Sequence, residues 1–192
     1  MRHITLQRIH IMGAAGSGKT TLAGWAAERL CCSWVELDSV AYEGGYARKR
    51  TLDERLASLA EITARPAWIT EGSYLWWIDD LLEAADAIVW LDLPWTVAMP
   101  RIVTRHFKLS WAGKNRHPGL RNLIDFAWGC RLYYLEKEPR VPKARDDDFA
   151  LNRAGVVHYL APYMAKVIQC RRPADVDRFL AQLGQTEEHH EK

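Results

Sequence analysis

Gly13-Ala14-Ala15-Gly16-Ser17-Gly18-Lys19-Thr20 constrains this chain more than any other stretch, because it matches G-x-x-x-x-G-K-[ST] in full. Backbone N–H groups in such a turn converge on one point and form a concave anion site. The helix that follows adds its unbonded first N–H groups and the positive end of its dipole. Glycine at 13, 16 and 18 permits the tight turn and the close approach that a β-carbon would obstruct. Lys19 supplies a mobile charge for β- and γ-phosphates, the Thr20 hydroxyl suits Mg2+, and Thr21 carries the loop into its helix. The flanks agree. Arg8-Ile9-His10-Ile11-Met12 is a short β-prone run, and Leu22, Trp25/Ala26 and Leu30 recur at helical spacing.

Further strands and helices alternate along the chain. Ser33-Trp34-Val35-Glu36-Leu37 reads as a second strand ending at Asp38, followed by a Gly- and Tyr-rich loop at 42–46. Thr51-Leu52-Asp53-Glu54 has the form of a capping box and starts a helix. Pro66 to Glu71 reads as a third strand and Asp86 to Asp92 as a fourth, the latter nearly all apolar, as a strand buried on both sides requires. A helix bearing Arg101 and Arg105 comes next, with Pro100 either in its first turn or kinking it. A basic segment at about 106–119 leads to a helix running to about Glu138, then a charged connector from Pro139 to Phe149. Asp146-Asp147-Asp148 within it reads as a solvated turn or helix cap. Lys166 to Cys170 gives a last strand and Asp175 to Leu183 a last helix. This alternation implies an α/β fold, with a parallel sheet covered by helices on both faces.

At 192 residues the chain suits one domain over 1–185 with a polar tail at 186–192. A net charge of +2 gives no support to nucleic-acid binding, which favours a strongly basic face. No stretch reaches the roughly 18 apolar residues of a membrane span. Four cysteines in neither a C-x-x-C pair nor a zinc pattern read as reduced thiols, and the chain as cytoplasmic. His189 and His190 on the tail lack the further ligands a metal site needs. Oligomeric state is not legible.

The ordered segments Gly13 to Thr20, Glu36-Leu37-Asp38, Trp68-Ile69-Thr70-Glu71-Gly72-Ser73-Tyr74, Trp90-Leu91-Asp92-Leu93-Pro94, Arg101-Ile102-Val103-Thr104-Arg105 and Asp175 to Leu180 resemble the adenylate-kinase-like P-loop kinases. More narrowly, they are similar to small bacterial proteins known as DNA topology modulation proteins. The resemblance implies a P-loop NTPase three-layer fold with five parallel strands in the order 2-3-1-4-5 and a short lid. It implies ATP and Mg2+ as cofactors, with transfer of the γ-phosphate to a nucleotide or a small hydroxyl metabolite. A nucleotide-dependent regulator of DNA topology and an ATP hydrolase switch are the alternatives. Where nucleoside-monophosphate kinases carry Asp-Gly-Phe-Pro-Arg, this chain reads Glu71-Gly72-Ser73-Tyr74, so the carboxylate survives and the arginine that would hold a monophosphate does not.

The resemblance also implies roles for individual residues. The nucleotide would lie on Gly13, Ala14, Ala15, Gly16, Ser17, Gly18, Lys19, Thr20 and Thr21, and Mg2+ on Thr20 and Glu71, with Asp92 the rival carboxylate. Arg101 and Arg105, spaced i,i+4, leave one helix face together and resemble lid arginines, with Arg116 either a third or part of a solvated basic loop. Asp38 stands where related kinases place an acid for the acceptor hydroxyl; a turn or helix cap is the other reading. Trp76-Trp77 would either wall an acceptor pocket or pack in the core, and Tyr42, Tyr46, Arg48, Lys49 and Arg50 fall in the acceptor region by order along the chain.

Overall fold

β1 (Arg8–Gly13) leads through the glycine-rich loop into α1 (Lys19–Arg29), which returns the chain to β2 (Trp34–Glu36). Isoleucines at 9 and 11 and Met12 are fully buried, so β1 is central by composition. The computed structural model describes residues 6–45 and 47–184; Tyr46 and the tail with His189 and His190 lie outside the described residues. After β2 comes a short helix, α2 (Leu37–Ala41), so Asp38 sits in a helical first turn rather than at a strand end. The loop expected from Tyr42 opens instead as one arm of a hairpin: β3 (Tyr42–Glu43) pairs antiparallel with β4 (Arg48–Lys49).

α3 (Leu52–Thr63) begins with the expected capping box, Thr51 accepting from the Glu54 backbone while Glu54 accepts from the Thr51 N–H. Then follow β5 (Trp68–Glu71), α4 (Asp79–Ala84) and β6 (Ala87–Leu91). α5 (Trp95–Trp111) contains Pro100 past its first turn and continues for about three more turns. The segment expected as a lid loop is therefore helical through Trp111, and only 112–119 is a turn before α6 (Leu120–Leu135). α7 (Arg153–Leu160), a 3-10 turn (Ala161–Lys166), β7 (Val167–Cys170) and α8 (Pro173–Gly184) complete the chain. α7 was not legible from spacing. Its start is set by Asn152, whose side chain accepts from the Gly155 N–H at 2.7 Å.

The main sheet has five strands in the order β2-β5-β1-β6-β7, all parallel. Setting the hairpin aside, this is the expected 2-3-1-4-5 arrangement of a P-loop NTPase. Two apolar layers flank it. One, built on Leu22, Ala23, Ala26, Phe179 and Leu183, joins α1 and α8 to the strands. The other joins α2, α3, α4 and α7 through Leu37, Leu59, Trp77, Leu81 and Leu160. β1 and β5 are neighbours with Ile11 opposite Glu71, which brings the end of β5 beside the phosphate loop.

Candidate functional site

The loop between β1 and α1 needs glycine for two reasons. Gly16 has φ +76° and Gly18 φ +98°, both in the left-handed region. A β-carbon on Gly16 would also lie 2.7 Å from the Ala98 carbonyl oxygen, because α5 packs directly on the loop. Arg101 reinforces that contact, donating from Nη1 to the Ser17 carbonyl at 2.9 Å. At the other side the Ser73 hydroxyl donates to the Gly13 carbonyl, tying the segment after β5 to the loop.

Lys19 folds back over the loop, its Nζ 3.4 Å from the Ala14 carbonyl. The protein around the amine lowers its pKa, and Glu71 and Asp38 act in the opposite direction. Thr20 Oγ1 donates to Glu71 Oε1 at 2.9 Å. Burial raises the Glu71 pKa, while Lys19 and the Thr20 hydroxyl hold the carboxylate form. A hydroxyl and a carboxylate this close are hard oxygen donors that suit Mg2+, which keeps its remaining positions for phosphate and water. The loop's glycine cradle likewise fits a phosphate chain. Asp92, the rival carboxylate, is engaged elsewhere: Arg153 holds it through Nε at 2.7 Å and Nη2 at 2.6 Å, and Gln169 donates at 2.8 Å.

A cavity of about 1190 Å³ opens over the loop and collects Lys19, Thr20, Asp38, Glu71, Arg101 and Arg105. Ala15, Gly16, Gly18 and Thr21 also line it. Asp38 accepts from the Tyr74 hydroxyl at 2.7 Å, so it serves the cavity from the first turn of α2. Arg116 is not part of this lining. None of residues 112–119 lines the cavity, and the Arg116 guanidinium donates instead to the Gly45 carbonyl of the β3–β4 turn. Trp76 and Trp77 do not line it either. Trp77 is 1% exposed in the core, and Trp76 packs edge-on against Tyr159 with ring centroids 5.1 Å apart. Arg48 pairs with Glu43 and Glu54, and Lys49 with Asp146 and Asp148.

Sequence reasoning missed Arg55 and misread Asp148. Arg55 is fully buried and bonds Asp148 through Nη1 at 3.0 Å and Nη2 at 3.2 Å. Asp148 is thus a clamped wall of the cavity, not a solvated turn residue. A signal existed for Arg55: Leu52, Arg55, Leu59 and Ile62 follow the i, i+3, i+7, i+10 stripe of α3, so a charge falls on the apolar face. Asp148, 93 residues further along, carries no such local mark.

No family model matches this chain. It is 30% identical over 126 residues to the uncharacterized protein YqaC of Bacillus subtilis (strain 168), covering 63% of this chain and 71% of YqaC. The chain belongs to the same family as YqaC. Similar solved structures include a sugar kinase from Janibacter sp. HTCC2649, at 21% identity and TM-score 0.49 over 93% of this chain and 94% of that one. A gluconokinase from Sinorhizobium meliloti 1021 is 19% identical at TM-score 0.49, over 94% and 93% of the two chains. A shikimate kinase from Acinetobacter baumannii in complex with shikimate is 16% identical at TM-score 0.47, over 96% of each. At such distances these structures decide nothing about the chemistry of the YqaC family, which rests on the cavity itself. Among the described residues no helix is long and apolar enough to cross a membrane.

Proposed function

We propose that this protein is an ATP- and Mg2+-dependent kinase that moves the γ-phosphate of ATP to a hydroxyl group of a small acceptor. The observation that carries this reading is the convergence, in one cavity, of the phosphate loop with Lys19, the Thr20–Glu71 pair, two arginines of α5 and Asp38. Phosphoryl transfer asks a protein mainly for positioning and for positive charge around the migrating group. Lys19, Arg101 and Arg105 provide that charge; the turn of α5 between the arginines sets both beside the loop. Thr20 and Glu71 would hold Mg2+, which when bound neutralises charge on the β- and γ-phosphate oxygens. Asp38 accepts the proton of the acceptor hydroxyl as its oxygen bonds to the γ-phosphorus and the bond to the β–γ bridging oxygen breaks, releasing ADP. Tyr74 orients Asp38 through its hydroxyl. The helical hairpin α5–α6 would serve as the lid, excluding water when it closes.

Incubating the purified protein with ATP, Mg2+ and a panel of nucleosides, nucleotides and hydroxyl metabolites tests this directly. The expected result is ADP release that depends on one acceptor and falls at least about a hundredfold in Lys19→Ala, the scale of losing one charged stabiliser of a transition state. Glu71→Gln should lower turnover and raise the Mg2+ concentration needed for half-maximal rate. ATP binding without acceptor-stimulated turnover would overturn the kinase reading in favour of a regulator, for which salt-dependent duplex binding is the next measurement. Steady ATP cleavage with no acceptor would favour a hydrolase switch.

A further inference from the structure

The cavity carries two sets of charged and polar groups. Among the described residues, every cation that lines it comes from the phosphate loop or α5: Lys19, Arg101, Arg105 and Lys108. The second set comes from α2, the hairpin, the segment after β5 and the long connector. It comprises Asp38, Tyr42, Tyr74 and Asp148, with Tyr74 donating to Asp38 at 2.7 Å and Tyr42 to Asp148 at 3.1 Å. Both carboxylates and both phenols are groups that meet hydroxyls or amines.

One arginine does lie behind this second set, but it is held. Arg55 is fully buried, and all three of its nitrogens are engaged. Nη1 and Nη2 bond Asp148, and Nε donates to the Arg50 carbonyl at 3.1 Å. The rings of Tyr42 and Trp77 flank it at 5.8 Å and 5.1 Å. Asp148 therefore stands between Arg55 and the cavity and occupies the fork that would otherwise match a phosphate or carboxylate. Lys49, 3.3 Å from Asp148, reinforces the clamp from outside the cavity. What the acceptor meets is the anionic member of the pair.

We propose that the acceptor is a hydroxyl-bearing molecule with no phosphate or carboxylate group, and that Asp148, clamped by Arg55, is the specificity residue that turns anionic acceptors away. This rests on the kinase reading and narrows it: nucleoside monophosphates and sugar acids are excluded, and uncharged or amine-bearing polyols and nucleosides are admitted. The exclusion is electrostatic. An anion at this end meets the carboxylates of Asp38 and Asp148, and it gains no fork in exchange.

The test compares matched acceptors under ATP and Mg2+: each nucleoside against its 5′-monophosphate, and each sugar or amino sugar against its sugar acid. Wild-type protein should show acceptor-stimulated ADP release with a member of the uncharged or cationic set, at least tenfold higher in kcat/KM than with its anionic match. Asp148→Asn exposes the Arg55 charge and should raise kcat/KM for the anionic match tenfold or more, mainly through KM. Tyr42→Phe keeps the carboxylate and should keep the discrimination. If Asp148→Asn fails to fold, as judged by circular dichroism, the wild-type comparison decides. Lys19-dependent turnover of an anionic acceptor equal to or better than its neutral match would overturn the proposal and leave the kinase standing. No acceptor-stimulated turnover anywhere, with ATP bound, would overturn the kinase and the proposal with it.

Discussion

His10 sits in the middle of β1 with no exposure, its Nδ1 2.9 Å from Thr70 Oγ1. Burial, aided by the nearby Lys19 charge, pushes its pKa down to about 3, so the folded protein holds it neutral. The unfolded chain binds a proton at the ordinary value near 6.5, so between the two values protons favour unfolding and stability rises with pH. Lowering the pH from about 7 to about 5 should cost about 2 kcal/mol through this residue alone. Urea unfolding at the two pH values measures it, and His10→Gln should lose that part of the slope. The same scale separates the two carboxylates that end strands. Glu71 answers to Thr20 and Lys19, whereas Asp92 answers to Arg153 and Gln169, and only the first pairing leaves a donor set at the phosphate loop.

Among the elements, α3 illustrates how far local rules reach. Thr51 accepts from the Glu54 N–H at 3.3 Å, and Glu54 accepts from the Thr51 N–H at 2.8 Å, satisfying two donors that the helix leaves open. Thr51→Ala should therefore cost about 1 kcal/mol, read as a shift in the denaturation midpoint at unchanged slope. This cap was legible because every group in it lies within four residues. α5 was legible in part. Its arginine pair follows from i,i+4 spacing, but the helix extends through residues expected to form a loop, and the turn that remains carries Arg116 to the hairpin. α2 is a similar case: five residues are too few for a periodic signal, and packing of fully buried Leu37 and Ala41 decides the conformation. α7 follows a connector, with Gly155 in its first turn masking a start that Asn152 caps.

Across the whole molecule, the Arg55–Asp148 pair binds α3 to the connector between α6 and α7, and so holds one wall of the cavity. Both side chains are nearly inaccessible, at 0% and 6% exposure. Removing Asp148 leaves Arg55 buried without a carboxylate, and removing Arg55 leaves the nearly inaccessible Asp148 with Lys49 at 3.3 Å in its place. Arg55→Met should lower stability by about 3–5 kcal/mol, and Arg55→Met/Asp148→Asn should restore most of it, since replacing both charges removes the buried ion left behind. Denaturant unfolding of the two single variants and the double variant measures the coupling; simple additivity would show that the pair does not act as a unit.

The sequence by itself determined the phosphate loop and the alternation of strands with helices, and the resemblance to adenylate-kinase-like P-loop kinases supplied the strand order that sets Glu71 beside Thr20. A turn's glycines and a helix's spacing are properties of neighbouring residues, so they can be read along the chain. Only the tertiary structure decided which charges face the acceptor. Whether Arg55 meets Asp148 or a ligand, and whether Arg116 enters the cavity or bridges to Gly45, depends on packing between segments 93 and 71 residues apart. No local pattern encodes that meeting, because it follows from which side chain best satisfies a buried charge once the helices have closed on the sheet.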